Sequence, residues 1–292
     1  MEFLQLTYFC RAAELENFAQ VAREFKVPAT SVAQSVGRLE KELGRKLFSR
    51  SANGIKLNSQ GKSFYHSVKN SMNILNDAKS RIKEDKISGT IKLLVVCAYP
   101  FVKEVITSFK EKYENVDFEI DYLHYENPKQ YDLIITDNIT QNDEFTAFRL
   151  LIDKINIVVS KNNPLADKGY ISVSDFKKEK LVVTEEETGL YAVTKRICLS
   201  NQIEPRISIR SNMPEHIISY IEKGFGIGLV PSITWKSLFT DNICLKEFGD
   251  DFGYIPTKHL FVCFDKYKYM PKVVKTFWDE LKEKAAQYIQ AE

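Results

Sequence analysis

The chain of 292 residues is 44% apolar and 27% charged, and its formal net charge at pH 7 is +2. This balance is typical of an ordinary globular protein with two or three compact domains. No run of eighteen or more apolar residues occurs, so we expect no membrane span, and residues 1–5 do not begin a signal peptide.

Charge is distributed unevenly along the chain. Residues 1–89 contain 15 Lys+Arg against 9 Asp+Glu, whereas residues 90–292 contain 26 against 30. A basic N-terminal part on an acidic body favours a nucleic-acid-binding module joined to a sensing module.

The residue types that most often form metal or catalytic sites are scattered along the sequence. The cysteines form no C-x-x-C pair, which favours a reduced cytoplasmic protein without zinc. The four histidines have no ligand spacing, and no nucleophile elbow, zinc-protease motif or phosphate loop occurs. We therefore expect no metal, no cofactor and no enzyme activity. The five cysteines are Cys10, Cys97, Cys198, Cys244 and Cys263.

Residues 18–43 predict two short helices joined by a tight turn. In the second helix Val32, Val36 and Leu39 recur at three- and four-residue steps, which predicts an apolar stripe facing a core. The opposite face is polar, as insertion into the DNA major groove requires, although an ordinary surface helix also fits this pattern. The candidate DNA-binding residues of this helix are Thr30, Ser31, Gln34, Arg38 and Lys41.

A basic hairpin is predicted directly after these helices. Asn53-Gly54 is a strong signal for a two-residue turn, and Leu47 and Phe48 can anchor the first arm to the core. A basic hairpin in this position can contact a phosphate or the minor groove. Its candidate DNA-binding residues are Arg50, Asn53 and Lys56.

Residues 59–84 predict one long helix, for which Ser59 is the candidate cap, and residues 83–89 predict a hinge. Apolar residues seven apart, with small or apolar residues between them, form a heptad seam. A second copy of the helix or the body of the protein could cover this seam. The candidate dimerisation residues are Phe64, Val68, Ser71, Leu75, Ala78 and Ile82.

Beyond residue 89 the pattern changes to short apolar runs that alternate with helical segments. This alternation predicts an α/β body with parallel sheets. Predicted strands lie at 91–97, 116–123, 131–136, 155–160, 181–184, 206–210 and 227–230. Predicted helices lie at 101–113, 192–201 and 214–223.

The run 32–61 contains Arg38-Leu39-Glu40, Leu43-Gly44, Leu47-Phe48-x-Arg50, Leu57 and Gly61. With this set it closely resembles the winged helix-turn-helix of LysR-type transcriptional regulators, and the resemblance extends over the whole chain. This chain departs from the family pattern at Ala29, Ala33 and Gly37, where a base-reading Gln, a Ser and a basic residue are usual. We therefore expect fewer side-chain contacts to bases, and a larger contribution of phosphate contacts and DNA shape to DNA recognition.

The resemblance continues in the body, at residues 132–135, 163–166 and 222–231. It implies an α/β protein with an N-terminal all-α winged helix-turn-helix and a two-lobed periplasmic-binding-protein-like effector domain. It further implies a DNA-binding domain at 1–58, a linker and dimerisation helix with hinge at 59–88, and an effector domain at 89–292. The implied partners are double-stranded DNA, a second copy of the chain (dimer or tetramer) and a small-molecule effector.

Ligands of such lobes sit at the carboxyl ends of the strands, where helix N-termini offer N–H groups. Family members often hold an effector carboxylate with a Ser or Thr in the first of these loops, and residues 97–100 contain neither. A ligand-free regulatory domain controlled by protein contacts is the alternative. The candidate effector-binding residues are Cys97, Ala98, Tyr99, Thr136, Thr184, Asn212, Met213, Phe225 and Gly226.

The connection at 124–130 is too short for the helix that a parallel crossover normally contains. We therefore hypothesise that one face of the first lobe lacks its cover, so that another subunit buries it or it shields a reduced pocket.

Overall fold

The computed structural model describes residues 1–51, 54–82, 87–122, 127–139 and 144–290. The chain divides into two compact units, one of Met1–Asp85 with Tyr267–Pro271 and one of Lys86–Lys266 with Lys272–Glu292. Within the described ranges, no helix combines the length and apolar character needed to cross a bilayer.

In the described residues of the first unit, four helices and a two-stranded wing pack on one core. The side chains of Phe9, Val21, Val32 and Leu39 are fully buried there. The elements are α1 (Phe3–Leu15), α2 (Phe18–Glu24), α3 (Ala29–Leu43), β1 (Phe48–Ser51), β2 (Gly54–Leu57) and α4 (Ser59–Ile82).

Polar side chains and one glycine set the ends of these helices. The Asn17 side chain accepts the Gln20 N–H and begins α2, whereas Gly44 ends α3 in the left-handed conformation with φ 66°. Asn58, and not the predicted Ser59, caps α4, because Asn58 Oδ1 accepts the Gly61 N–H at 2.8 Å.

The second unit is a mixed α/β body. Its strands are β3 (Gly89–Val95), β4 (Val116–Tyr122), β5 (Leu133–Thr136), β6 (Phe145–Ser160), β7 (Tyr170–Ile171), β8 (Lys180–Val183), β9 (Arg206–Arg210), β10 (Gly228–Pro231), β11 (Ile243–Phe248) and β12 (Thr257–Asp265). Its helices are α5 (Tyr99–Lys112), α6 (Val173–Phe176), α7 (Gly189–Ser200), α8 (Pro214–Glu222) and α9 (Lys272–Gln290).

Two lobes share the long strand β6. In the first lobe β3 pairs in parallel with β4 and β5, while β12 pairs antiparallel with β5 and with the first half of β6. In the second lobe β8 and β9 are parallel, and β10 and β11 pair antiparallel with the second half of β6. The prediction of parallel sheets is therefore wrong for the strands that connect the lobes.

Only a short 3₁₀ turn, Pro128–Gln130, is described between β4 and β5, and residues 123–126 lie outside the described part. One face of β4 is polar and open to solvent. Asp117, Glu119 and Asp121 are exposed on it, and Lys92 of β3 pairs with Glu119 at 2.7 Å. The hypothesis of an uncovered face that needs burial is therefore wrong, since the sequence makes this face compatible with water.

Candidate nucleic-acid interface and ligand cavity

Helix α3 presents a polar face to solvent. Its opposite side is anchored by the fully buried Val32 and Leu39. At the centre of the polar face a Cβ added at Gly37 would meet no atom within 4 Å, so this stretch of backbone is open to close approach. Of the residues predicted for this face, Ser31 is half-buried and the exposed ones are Thr30, Gln34, Arg38 and Lys41.

The Glu40 carboxylate fixes the wing to α3. One oxygen accepts the N–H groups of Leu47 and Phe48 at 2.8 and 3.3 Å, and the other accepts Lys46 Nζ at 2.7 Å. Burial raises the pKa of this carboxyl, but the hydrogen bonds from Lys46, Leu47 and Phe48 outweigh it, so the pKa lies below its usual value. A buried charge on α3 therefore sets where the hairpin begins.

The second strand of the wing is held against the end of α1. The Ile55 N–H donates to the Glu16 carbonyl at 3.1 Å, and a Cβ at Gly54 would come within 2.6 Å of the same oxygen. Lys56 is exposed and lies 4.0 Å from the Glu16 carboxylate. Arg50 lies on β1, but its side chain lies outside the described part, as does the whole of Asn53.

The predicted dimerisation residues of α4 divide into two groups. Val68 is 5% exposed and Phe64 packs beside it, both within the core of their own chain. Val68 is therefore a structural residue and its prediction as a dimerisation residue is wrong, because its own chain buries it, whereas Phe64 is half-buried and stays a proposed dimerisation residue. Ser71, Leu75 and Ala78 are exposed, and the side chain of Ile82 lies outside the described part.

A cavity of about 380 Å³ opens between the two lobes of the second unit. It lies where the loops after β3, β5, β8 and β9 meet, at the carboxyl ends of parallel strands. Its lining residues are Val96, Cys97, Ala98, Tyr99, Asp137, Thr184, Glu185, Glu187, Thr188, Gly189, Leu190, Asn212, Pro214, Trp235 and Lys258.

An ion pair crosses the floor of this cavity. Lys258 Nζ on β12 lies 2.6 Å from Asp137 Oδ2, and both side chains are largely buried. Burial lowers the pKa of Lys258, but the adjacent Asp137 carboxylate outweighs it, so the pKa is raised and the ammonium form is favoured. Burial also raises the pKa of the Cys97 thiol to about 12, which keeps it protonated and unreactive.

The predicted effector-binding residues also fall into two groups, those that line the cavity and those that do not. Cys97, Ala98, Tyr99, Thr184 and Asn212 line the cavity. Four others are not among its lining residues. Thr136 Oγ1 instead bonds to the backbone of Asn138, Met213 and Phe225 are exposed, and Gly226 packs on the Lys180 carbonyl.

Several lining residues were not predicted from the sequence, among them Lys258 and Trp235. Lys258 lies between Thr257 and His259 in the polar start of β12, and Trp235 follows β10 in a short loop. Nothing local distinguishes Lys258 from an ordinary surface lysine or Trp235 from a core tryptophan. Across the described ranges, no group of three or more His, Cys, Asp or Glu side chains could hold a metal ion.

Comparison with known proteins identifies the family of the chain. Residues 3–62 match the bacterial regulatory helix-turn-helix protein of the lysR family, and residues 84–286 match the LysR substrate binding domain. The chain therefore belongs to the LysR-type transcriptional regulators, a family of DNA-binding proteins. The predicted family and fold class are thereby confirmed.

Relatives cover most of the chain at low identity. The transcriptional dual regulator GltC of Bacillus subtilis (strain 168) is 28% identical over 246 residues, which is 80% of this chain and 82% of the relative. The transcriptional activator IlvY of Haemophilus influenzae is 23% identical over 296 residues, which is 95% of this chain and 99% of the relative.

Solved structures support the same fold. A full-length OxyR variant from Pseudomonas aeruginosa superposes with a TM-score of 0.64 at 15% identity, over 97% of this chain and 95% of that one. Full-length CbnR in complex with its target DNA superposes with a TM-score of 0.52 at 17% identity, over 98% of this chain and 100% of that one. At such identities the likeness shows the fold alone.

Proposed function

We propose that this regulator binds specific DNA sequences as a homodimer, by inserting the polar face of α3 into the major groove of each half-site. The observation that carries this proposal is the exposed row Thr30, Gln34, Arg38 and Lys41 on a helix whose other side is locked into the core. Ser31 at its edge, together with Arg50, Asn53 and Lys56 of the wing, would add phosphate or minor-groove contacts.

The proposed division of labour follows the three segments of the chain. Residues 1–58 bind DNA, residues 59–88 join two copies, and residues 89–292 sense an effector. The exposed Leu75, with Ser71 and Ala78 on the same helix, supports a seam along α4, to which Ile82 would contribute.

The cavity is the proposed effector site. An effector that binds one arrangement of the lobes better than another would shift the arrangement of the dimer, and with it the affinity for DNA. We place this activity in the cytoplasm, where bacterial DNA lies, and expect no catalysis. A ligand-free regulatory domain is the alternative, and the volume of the cavity disfavours it.

One experiment tests the DNA-binding part directly. Random duplexes are enriched on the full-length protein, and the bound sequences are compared for wild type and Gln34→Ala. The proposal expects a recurring sequence with two-fold symmetry for the wild type and a relaxed choice at one position per half-site for the variant. Enrichment of no sequence at low salt contradicts it.

A further inference from the structure

The positive charge of the cavity is already neutralised within the chain. Lys258 Nζ lies 2.6 Å from the Asp137 carboxylate, so the ammonium already has an anionic partner. The same carboxylate packs on Gly189, the first residue of α7, so closely that a Cβ at this position would clash with it. Asp137 thus takes the place that an anionic ligand would occupy at a helix N-terminus.

The other helix that begins at the cavity offers little to an anion. Helix α5 has no side chain that caps its N-terminus, and its second residue is Pro100, which has no N–H group. The preceding Ala98 adopts the left-handed conformation, with φ 59°. The Tyr99 hydroxyl donates to the Val96 carbonyl at 2.8 Å and is therefore already engaged.

Two carboxylates of the lining form no close ion pair within the described ranges. Glu185 is half-buried and Glu187 is exposed, and both line the cavity. The nearby Arg210 pairs with the intervening Glu186 at 2.9 Å, lies over the Tyr191 ring and attracts Glu185 only at longer range. Beyond its internal ion pair, the cavity therefore carries a net negative charge.

The rest of the lining is largely apolar and aromatic. Trp235 is buried at 5% exposure, and Val96, Leu190, Pro214 and the Tyr99 ring add further apolar surface. A cation with an apolar body would place its charge against the two glutamates and its body against these side chains. Aromatic rings also attract cations through their negatively charged faces.

We propose that the ligand of this cavity is a small organic cation, with an ammonium or guanidinium head and an apolar body, bound by Glu185 and Glu187. The inference rests on the proposed function, in which this cavity is the effector site. The internal Asp137–Lys258 pair excludes carboxylates from the position next to α7, and the two free glutamates select the positive charge.

The test uses ligands of one shape and different charge. Phenethylamine, 3-phenylpropionate and 2-phenylethanol are titrated into the full-length protein by calorimetry, and n-butylamine and butyrate form a second, shorter set. The amines are expected to bind at least tenfold more tightly than the matched carboxylates. Equal or tighter binding of the carboxylates, or no binding of either amine, overturns the proposal.

Three variants assign the effect to particular side chains. The double variant Glu185→Gln with Glu187→Gln should weaken amine binding about tenfold or more, whereas the control Glu204→Gln should leave it unchanged, since Glu204 is exposed and does not line the cavity. Asp137→Asn frees Lys258 and the start of α7, and should therefore increase carboxylate affinity about tenfold. Amine binding that is insensitive to the glutamate double variant overturns the assignment.

A parallel readout separates this inference from the proposed function. Binding of the full-length protein to its enriched duplex is followed by fluorescence anisotropy with and without each ligand. If the carboxylates bind more tightly than the amines and also change the affinity for DNA, the ligand is not a cation, but the cavity is still the effector site. Amines that occupy the cavity without any change in DNA affinity support the class and contradict the regulatory role.

Discussion

Glu40 Oε1 accepts the Leu47 N–H at 2.8 Å, so one carboxylate on α3 determines where the first strand of the wing begins. The carboxylate is largely buried, with 8% of its side chain exposed, whereas its ion-pair partner Lys46 is 79% exposed. The bonds to the backbone are therefore the part of this arrangement that solvent screens least.

Replacing Glu40 by Ala should release the wing and destabilise the first unit by about 1–3 kcal/mol, because one buried and one partly buried N–H group lose a charged acceptor. Both tryptophans, Trp235 and Trp278, lie in the second unit, so hydrogen exchange is the suitable measurement. Amide exchange across residues 45–57 should be faster in the variant. Glu42→Ala removes an exposed glutamate of the same helix and should leave exchange in this segment as in the wild type.

The same carboxylate predicts a pH dependence. Burial raises the Glu40 pKa, but the hydrogen bonds from Lys46, Leu47 and Phe48 outweigh it and lower the pKa from its ordinary 4.5. The stabilisation is therefore complete above pH 4.5 and is lost as pH falls through the lower folded-state pKa. The difference in amide protection between wild type and Glu40→Gln should shrink below pH 4.5. A difference that grows on acidification would reverse the assigned sign.

Arg50→Ala should weaken binding to all DNA sequences and reduce the slope of log affinity against log salt by about 1, because one phosphate contact is lost. Affinities measured by anisotropy across a salt series check this. Arg196→Ala, which removes the same charge from an exposed position on α7, is the control and should keep the slope. An unchanged slope for Arg50→Ala refutes the wing contact.

Gln34→Ala should cost about 1–3 kcal/mol on the preferred duplex and much less on a scrambled one, because a side chain that reads a base edge is lost. Competition between the two duplexes measures the ratio of the affinity for the preferred duplex to that for the scrambled one. Gln20→Ala, an exposed amide on α2, should preserve it. If the ratio is the same before and after the Gln34 change, this residue reads no base.

The two halves of α4 should respond differently to substitution. Leu75→Asp should shift the protein from dimer to monomer in sedimentation velocity, because it places a charge on the proposed seam. Leu199→Asp, at an exposed leucine of α7, is the matched control. Val68→Ala should instead reduce the stability of the first unit by about 1–3 kcal/mol and leave the oligomer intact. A dimer that persists with Leu75→Asp would refute the seam.

Local periodicity accounts for what the sequence predicted correctly. The positions of Val32, Val36 and Leu39 define which side of α3 is buried, and the structure agrees. The heptad pattern of α4 also identified a stripe, but spacing alone does not say which surface covers it. Val68 therefore appeared as a dimer residue although α1 covers it.

Features that depend on distant segments were harder to predict. Asp153 and Lys154 interrupt the apolar pattern of β6, so only its second half was predicted as a strand. The Asp153 carboxylate is accommodated by the N–H groups of Ile233 and Thr234, about eighty residues away. Lys258 likewise reaches the cavity only because β12 pairs with β5, a contact that no local pattern contains.

The most direct test of the account is a methylation-protection footprint of the full-length protein on its enriched duplex. Two copies per duplex should protect guanines in two major-groove segments, spaced by one helical turn or a multiple of it, and Leu75→Asp should abolish the joint protection. A protein that stays monomeric and leaves every major-groove guanine reactive, even at low salt, would contradict it.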